Sequence, residues 1–136
     1  TVLVEGYDHA DPIADSAREI LDGHIVLGLR IADAGRFPAI DVEASVSRVM
    51  HEIVAAPHLE LARRFRRVVG AYESHRDLIA IGAYQRGSDP RVDEAIALWP
   101  RVEHYLQQDM RQRVTFDESV AALEAVLGGA RPDERA

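Results

Sequence analysis

The sequence has 136 residues, a net charge of −7 at pH 7 and no cysteine. Its length suits one domain, or one domain with part of another, and a content of 47% hydrophobic and 29% charged residues is typical of a globular protein. The negative charge argues against a general nucleic-acid binder, the lack of cysteine excludes disulfides and cysteine metal sites, and no apolar run approaches the ~18 residues of a membrane span.

All 16 basic residues are arginines, because the sequence contains no lysine. A Walker A phosphate loop ends in Gly-Lys-Ser or Gly-Lys-Thr, and its lysine reaches the β- and γ-phosphates of a bound nucleotide. The chain therefore contains no loop of this kind. Its acidic N-terminus also lacks the basic start of a signal peptide, so we expect none.

The first third of the chain alternates between short β-rich runs and helical patterns. The predicted elements are a strand at 1–5, a helix at 12–21, a buried strand at 24–27, a helix at 29–34 and a strand at 40–42 that leads into a turn at 45–48. The helix at 12–21 is expected to turn the side chains of Ile13, Ala17, Ile20 and Leu21 inward. His24 is expected to be a packed, hydrogen-bonded side chain rather than a base. This alternation predicts the edge of a layered α/β domain.

Three possible metal ligands, Asp8, His9 and Asp11, precede the first predicted helix. Carboxylates and an imidazole can bind a metal ion, but this spacing matches no established motif. Asp11 followed by Pro12 is also the pattern of a helix N-cap and first turn. We favour a solvated loop in which Asp11 caps the next helix, and we predict no metal site.

Residues 37–50 carry the two side chains with the clearest chemical meaning. Phe37 stands directly before a proline that stiffens its backbone, and Arg48 follows two serines across a short β-branched stretch. An aromatic face can stack on a base, and a planar guanidinium can neutralise phosphate charge. The small serines and anchoring valines around Arg48 are expected to leave its guanidinium free. The alternatives are Phe37 in a core and Arg48 in a salt bridge.

A change in composition at residues 50–57 separates this region from a purely helical one. Pro57 marks the start of a long helix. Its apolar stripe comprises Leu61, Phe65, Val68, Tyr72 and Ile79, with Ala62 and Val69 beside it. The four arginines off this stripe, Arg63, Arg64, Arg66 and Arg67, could bind phosphate. We favour a solvated face with Glu73 and Asp77 as local partners.

Two further helices follow, each with its own start signal. Residues 87–90 combine a stop glycine, a cap and a proline, and Val92, Ile96 and Trp99 continue the core until Pro100 kinks or breaks the helix. Tyr105 and Leu106 resume the apolar face. Thr115 and Glu118 form a capping box for a last helix that contains Phe116, Val120, Leu123 and Leu127 and ends at residues 128–129. Residues 130–136 are expected to be disordered.

Several segments in the same order resemble the type III export ATPases, which are relatives of the catalytic head subunits of rotary ATP synthases. They are residues 20–27, 37–50 and 82–90, with residues 95–100 and 105–108 similar to the flagellar rather than the virulence-secretion branch. The resemblance implies the C-terminal end of a RecA-like nucleotide-binding domain at 1–52, an all-α domain at 53–129 and a tail at 130–136. The chain is then mostly helical overall.

In the family, identical subunits form a hexameric ring that hydrolyses ATP between neighbours. The resemblance implies that Arg48 is an arginine finger acting in trans on the γ-phosphate of the adjacent subunit. It also implies that Phe37 and Tyr105 lie on the adenine side of the subunit's own nucleotide. The phosphate loop and the residues that bind magnesium would then lie upstream, and this chain alone is expected to hydrolyse no ATP.

The resemblance also implies protein partners. The turn at residues 87–90 corresponds to the region that faces a central stalk, and the last helix to one that docks export chaperones and their substrates. The implied location is the bacterial cytoplasm, peripheral to the inner membrane and its export gate. One departure is Gly28-Leu29, where the family commonly has Ser-Arg. Tyr7-Asp8 likewise replaces a frequent acidic pair.

Three alternative functions remain. The parent protein could serve a virulence type III secretion system instead of a flagellum. The chain could be a helical interaction module without catalysis, which the presence or absence of a phosphate loop upstream would decide. A helix-turn-helix nucleic-acid binder using Arg63–Arg67 is disfavoured by the acidic net charge.

Overall fold

The computed structural model describes residues 12–128. The elements in chain order are α1 (Pro12–Ile20), β1 (Gly23–Leu27), α2 (Leu29–Asp33), β2 (Ile40–Ser47), α3 (Met50–Ile53), α4 (Ala56–Ala80), α5 (Pro90–Leu106) and α6 (Phe116–Leu127). The described part is mostly helical, as predicted. The predicted strand at 1–5, the possible metal ligands at 8–11 and the tail at 130–136 lie outside the described residues.

The two strands form an antiparallel ribbon. Gly23 pairs with Ser47 and Leu27 with Ile40, and the register shifts between His24 and Val26. The strand predicted at 40–42 therefore extends to Ser47, and the turn predicted at 45–48 is largely strand. The predicted strand was too short because the second half of β2 contains two serines and no continuous apolar pattern. It gains its strand conformation from pairing with β1.

The apolar residues of α1 and β1 are mostly exposed, contrary to the prediction. Ile13 and Ile20 of α1 are 73% and 83% exposed, and only Ala14 of this helix is buried. In β1, Ile25 and Leu27 are 73% and 70% exposed. Periodicity indicates which residues share a face of an element but not what covers that face. The predicted helix and strand therefore formed, but no other described residue covers most of their apolar side chains.

The core lies between α4, α5 and α6. Nine buried side chains form one cluster, namely Phe65, Val68, Val69, Ala95, Leu98, Val102, Leu123, Val126 and Leu127. Tyr72 of α4 stacks flat on Trp99 of α5, with ring centroids 3.6 Å apart. Burial of such aliphatic side chains contributes roughly 1.5–3 kcal/mol each, so the three helices form the most strongly packed part of the described structure.

The helix boundaries follow the predicted signals closely. Thr115 and Glu118 complete both halves of the capping box, and the backbone N–H of Thr115 donates to the Glu118 carboxylate, which lowers the pKa of Glu118. The Asp89 side chain accepts from the backbone N–H of Arg91 at the start of α5. Gly87 has a φ of 90°, a left-handed conformation that glycine adopts without steric cost.

Helix α5 continues through Pro100 to Leu106 without a break. Its fully packed face consists of Val92, Ala95, Leu98 and Val102, whereas the predicted core residues Ile96 and Trp99 are only partly buried. Pro100 is exposed, so its ring and missing N–H lie on the solvent side of the helix. Packing on the other face holds both halves of the helix together despite the lost hydrogen bond.

Candidate functional site

Arg48 follows the last residue of β2 and is exposed. Its guanidinium donates to two carbonyl oxygens at the end of α1, with Nη1 3.1 Å from Glu19 O and Nη2 2.9 Å from Arg18 O. Its backbone N–H donates to Asp22 O at 2.7 Å. A cation at the C-terminus of a helix is favourable because the last carbonyls lack intrahelical partners. The guanidinium is therefore not free in this structure, contrary to the expectation, and among residues 12–128 it forms no salt bridge with a carboxylate.

Phe37 lies in the loop between α2 and β2 and is 57% exposed. Its carbonyl oxygen accepts a 2.9 Å hydrogen bond from the backbone N–H of Gln108, just beyond α5. This hydrogen bond connects the loop to the C-terminal end of α5. The exposed ring does not fit the alternative of a core residue and leaves an aromatic face available for contact.

Tyr105 occupies a different setting near the same end of α5. Its ring packs edge-on against Phe65, with centroids 5.5 Å apart, and its hydroxyl donates to Ser119 O at 3.3 Å. Burial raises the pKa of Tyr105. The ring is thus largely engaged in the helical core. Gln108, which binds the Phe37 carbonyl, follows Tyr105 by three residues in the chain.

Phe37 and Arg48 lie beyond opposite ends of β2. The strand Ile40–Ser47 lies between them, and its ends pair with the ends of the five-residue strand β1, so they are roughly 13 Å apart at about 3.3 Å per strand residue. The structure therefore does not bring the two predicted nucleotide contacts together in one place. It presents two separate candidate sites, one at each end of the ribbon.

The turn between α4 and α5 is held by one tyrosine and one aspartate. The Tyr84 hydroxyl lies 3.1 Å from both Asp89 O and Asp93 Oδ1, and the backbone N–H of Gly87 donates to Asp93 Oδ2 at 2.8 Å. Arg86 and Arg91 are exposed on this turn. Hydrogen bonds with Arg91 lower the pKa of Asp89 to about 2. This network is invisible in the sequence, because its partners are five to nine residues apart in a segment without periodicity.

Three of the four arginines in the run at 63–67 are engaged within the protein, because Arg66 donates to carbonyl oxygens of β2 and two others form ion pairs. Arg64 pairs with Glu94 of α5 at 2.5 Å, and Arg67 pairs with Glu60 at 3.1 Å. The predicted local partners were wrong for this run, since Glu73 pairs with Arg76 instead. These contacts agree with the solvated-face interpretation over a phosphate-binding patch.

Beside these pairs, a groove of about 370 Å³ lies between α4 and the start of α5. Its lining includes Arg67, Arg91, Asp89, Glu94 and Gly70. Because both positive and negative groups line the groove, it offers no field of a single sign to a charged ligand.

Within residues 12–128, no three His, Asp or Glu side chains are close enough together to hold a metal ion. No helix in this range is long and apolar enough to cross a membrane. His24, predicted to be hydrogen-bonded, has its Nε2 3.1 Å from Ala44 O in the neighbouring strand.

Two family models match the chain in succession. The T3SS EscN ATPase C-terminal domain matches residues 54–125, and the nucleotide-binding domain of the ATP synthase alpha/beta family matches residues 1–47. The first covers more than half of the chain. The chain therefore belongs to the T3SS EscN ATPase C-terminal domain family, and the predicted resemblance is confirmed.

Individual relatives agree with this assignment. The flagellum-specific ATP synthase of Salmonella typhimurium is 50% identical over 93% of this chain and 28% of its own length. The assembled ATPase EscN of the enteropathogenic E. coli type III secretion system has a TM-score of 0.88 and 38% identity, covering 93% of this chain and 31% of EscN. EscN in complex with its central stalk EscO has a TM-score of 0.80 and 38% identity, covering 85% of this chain and 29% of that one. The chain thus spans less than a third of the length of these relatives.

Proposed function

We propose that this chain is the C-terminal part of an ATP-hydrolysing flagellar type III protein export ATPase. The observation that supports the flagellar branch is the 50% identity to a flagellum-specific ATP synthase, against 38% to the EscN structures. Since the chain contains no lysine, the phosphate loop of the parent protein lies outside these residues, and we place it upstream together with the magnesium ligands, as the family resemblance implies.

Arg48 is the arginine finger of this ATPase and acts on the nucleotide held by a neighbouring subunit. Its guanidinium is on the surface at the end of β2, and the carbonyls that it contacts are uncharged acceptors. Phosphate oxygens are stronger acceptors for a guanidinium than carbonyls, because their negative charge adds to the effect of the donor's positive charge. A neighbour's nucleotide can therefore draw the fork away from α1.

Phe37 contacts the adenine of the subunit's own ATP. The exposed ring and the bond from Gln108 to its carbonyl support this role, because they present an aromatic face on a fixed loop. Tyr105 contributes from the same side, with its ring packed against Phe65 and only part of it accessible. The separation of Phe37 from Arg48 along β2 supports service to two different nucleotides, as a ring of identical subunits requires.

The α4–α5 turn contacts a central stalk, and α6 contributes to docking of export chaperones with their substrates. The stalk proposal is supported by EscN, which is known in complex with the central stalk EscO, and by the two exposed arginines on the turn. The parent protein forms a homohexameric ring. It works in the cytoplasm at the inner-membrane export gate.

The test is a mixing experiment with full-length subunits. One subunit carries Arg48→Ala, and the other has an inactive phosphate loop. If Arg48 acts in trans, mixed rings contain some sites that combine the intact loop of the first subunit with the Arg48 of the second, and activity partly recovers. If it acts in cis, every site keeps a lesion. Absence of recovery in rings shown to be mixed would overturn the proposal.

A virulence-system ATPase is the second candidate, favoured by the TM-score of 0.88 to EscN. Complementation decides between the two. A flagellar export ATPase should restore motility to a strain that lacks its own flagellar ATPase, whereas a virulence-system ATPase should not.

A further inference from the structure

Arg66 of α4 connects the helical core to the ribbon. Its Nη1 lies 2.7 Å from Ser45 O and its Nη2 lies 2.9 Å from Glu43 O, both on β2. The guanidinium therefore grips two alternate carbonyls of one strand with its fork. This geometry suits arginine in particular, since lysine offers a single point of charge without a fixed fork.

The gripped part of β2 is its irregular segment. Asp41 Oδ1 accepts hydrogen bonds from the backbone N–H groups of Glu43 and Ala44. The Ser45 hydroxyl accepts from Val26 N and donates to Asp41 O. Side chains thus replace part of the normal ladder where the register shifts, and irregular segments of this kind redirect a strand. Arg66 binds the carbonyls of this segment, only three residues before Arg48.

Two more contacts fix the same strand on α4. Val42 packs against the core cluster of the helices. One turn after Arg66, Gly70 leaves room for the Glu43 side chain, whose Oε1 lies 3.1 Å from the position that a Cβ would occupy there. The position of β2 is therefore set by α4 at three places, with Arg66 supplying the hydrogen bonds.

We propose that Arg66 is a positioning residue that places Arg48 for its reaction in the neighbouring subunit, by holding the irregular segment of β2 on α4. This inference rests on the proposed trans role of Arg48. Helix α4 continues from Arg66 to Ala80, next to the proposed stalk-contacting turn. A displacement of that turn reaches the strand of Arg48 through a packed helix and one bidentate contact, because close-packed interiors transmit displacements.

The mixing experiment distinguishes positioning from general structural support. In the mixed ring, only the subunit with the inactive phosphate loop supplies a working Arg48. Arg66→Ala in that subunit should lower the recovered activity about 10-fold or more, since a misplacement of 1 Å can cost ~100-fold. The same substitution in the Arg48→Ala subunit should leave the recovered activity within about twofold, because that subunit's Arg48 is already absent and its phosphate loop is intact.

Arg63→Ala is the matched control. Arg63 lies on the same helix and is exposed, and its side chain makes no hydrogen bond or ion pair among residues 12–128, so its loss should change the recovered activity in neither subunit. Arg66→Lys retains the positive charge but not the fork. It should fold and assemble normally and should still show the loss in the Arg48-supplying subunit. This variant keeps the test valid if Arg66→Ala reduces assembly.

The outcomes separate the two proposals. If no activity recovers even with Arg66 intact, the trans role of Arg48 fails, and the positioning role fails with it. If activity recovers but Arg66→Ala and Arg66→Lys lower it equally in either subunit, Arg66 supports the fold in general and the inference is overturned. It is also overturned if neither variant lowers the activity in the Arg48-supplying subunit while mixed rings assemble normally.

Discussion

The ribbon and the three-helix core differ sharply in how their apolar residues are used. In the core, Ala95 and Val102 are completely buried, whereas Ile20 of the adjoining helix α1 and Ile25 of β1 are 83% and 73% exposed. Yet two of the three residues proposed to contact nucleotide, Phe37 and Arg48, flank β2 of the ribbon. The packed core thus lies in the helices, whereas these two proposed contacts lie beside the exposed ribbon. A few contacts from the helices hold the ribbon in position, among them those of Arg66 with β2 and of Gln108 with Phe37.

The largest expected effect is on chemistry in the ribbon region. Arg48→Ala in the full-length ATPase should lower turnover by ~10³-fold or more, as for other arginine fingers, with folding and nucleotide affinity unchanged. Arg48→Lys should recover little, because a point charge does not reproduce the fork. Steady-state hydrolysis with circular dichroism and nucleotide titration checks this. A fall in melting temperature with unchanged turnover would show that Arg48 serves only to bind the end of α1.

The next effect contrasts the stability of the two regions. Leu98→Ala should lower the free energy of unfolding of this chain by about 2–5 kcal/mol, because it opens a cavity in the core. Ile25→Ala in the exposed strand should change it by no more than about 0.5 kcal/mol. Urea unfolding followed by circular dichroism measures both values. Equal losses would contradict the division into a packed core and an exposed ribbon.

Phe37→Ala should affect nucleotide binding rather than stability. Loss of a stacked aromatic should weaken ATP binding to the full-length protein by about 1–3 kcal/mol, with little change in kcat, because stacking acts on ground and transition states alike. Binding of a fluorescent ATP analogue provides the measurement. Unchanged affinity with a reduced melting temperature would instead place the Phe37 ring in the packing of the protein.

The capping box gives a smaller, purely local effect. Thr115→Ala removes the side chain that accepts from the N–H of Glu118 and should lower the free energy of unfolding by ~1 kcal/mol. Thr115→Ser retains the hydroxyl and serves as the control. Because the folded-state pKa of Glu118 is lowered, its contribution is present above the ordinary carboxyl pKa and is lost as pH falls through the folded value. The difference in stability between the unchanged protein and the Thr115→Ala variant should therefore shrink in acid.

The smallest effect on stability is expected at the α4–α5 turn. Arg86→Glu should leave the melting temperature unchanged, since this exposed side chain lies between helices, and should reduce stalk-stimulated hydrolysis of the assembled ATPase. Arg91→Glu is a less clean variant, because Arg91 pairs with the Asp89 cap at 2.8 Å. Stalk stimulation that survives Arg86→Glu at all stalk concentrations would place the contact elsewhere on the ring.

Local signals in the sequence predicted the helical half of the protein, and its longer motifs predicted the family. Caps, turn glycines and the stripe through Phe65 and Val68 predicted α4, α5 and α6, since these signals act over three or four residues. The sequence also supplied the identities of Phe37, Arg48 and Tyr105, whose proposed roles await the tests above.

The surroundings of those residues follow from contacts between distant parts of the chain. The full length of β2, the exposure of Ile20 and Ile25, and the contacts of Arg48 with α1 all depend on partners far away in the chain. The same is true of the hydrogen bonds from Arg66 to Ser45 and Glu43, which precede it by 21 and 23 positions. Local propensity carries no information about such pairs, because an arginine fork binds any two suitably spaced carbonyls that the fold brings to it. The packing of α4 against β2 selected Glu43 O and Ser45 O for that purpose.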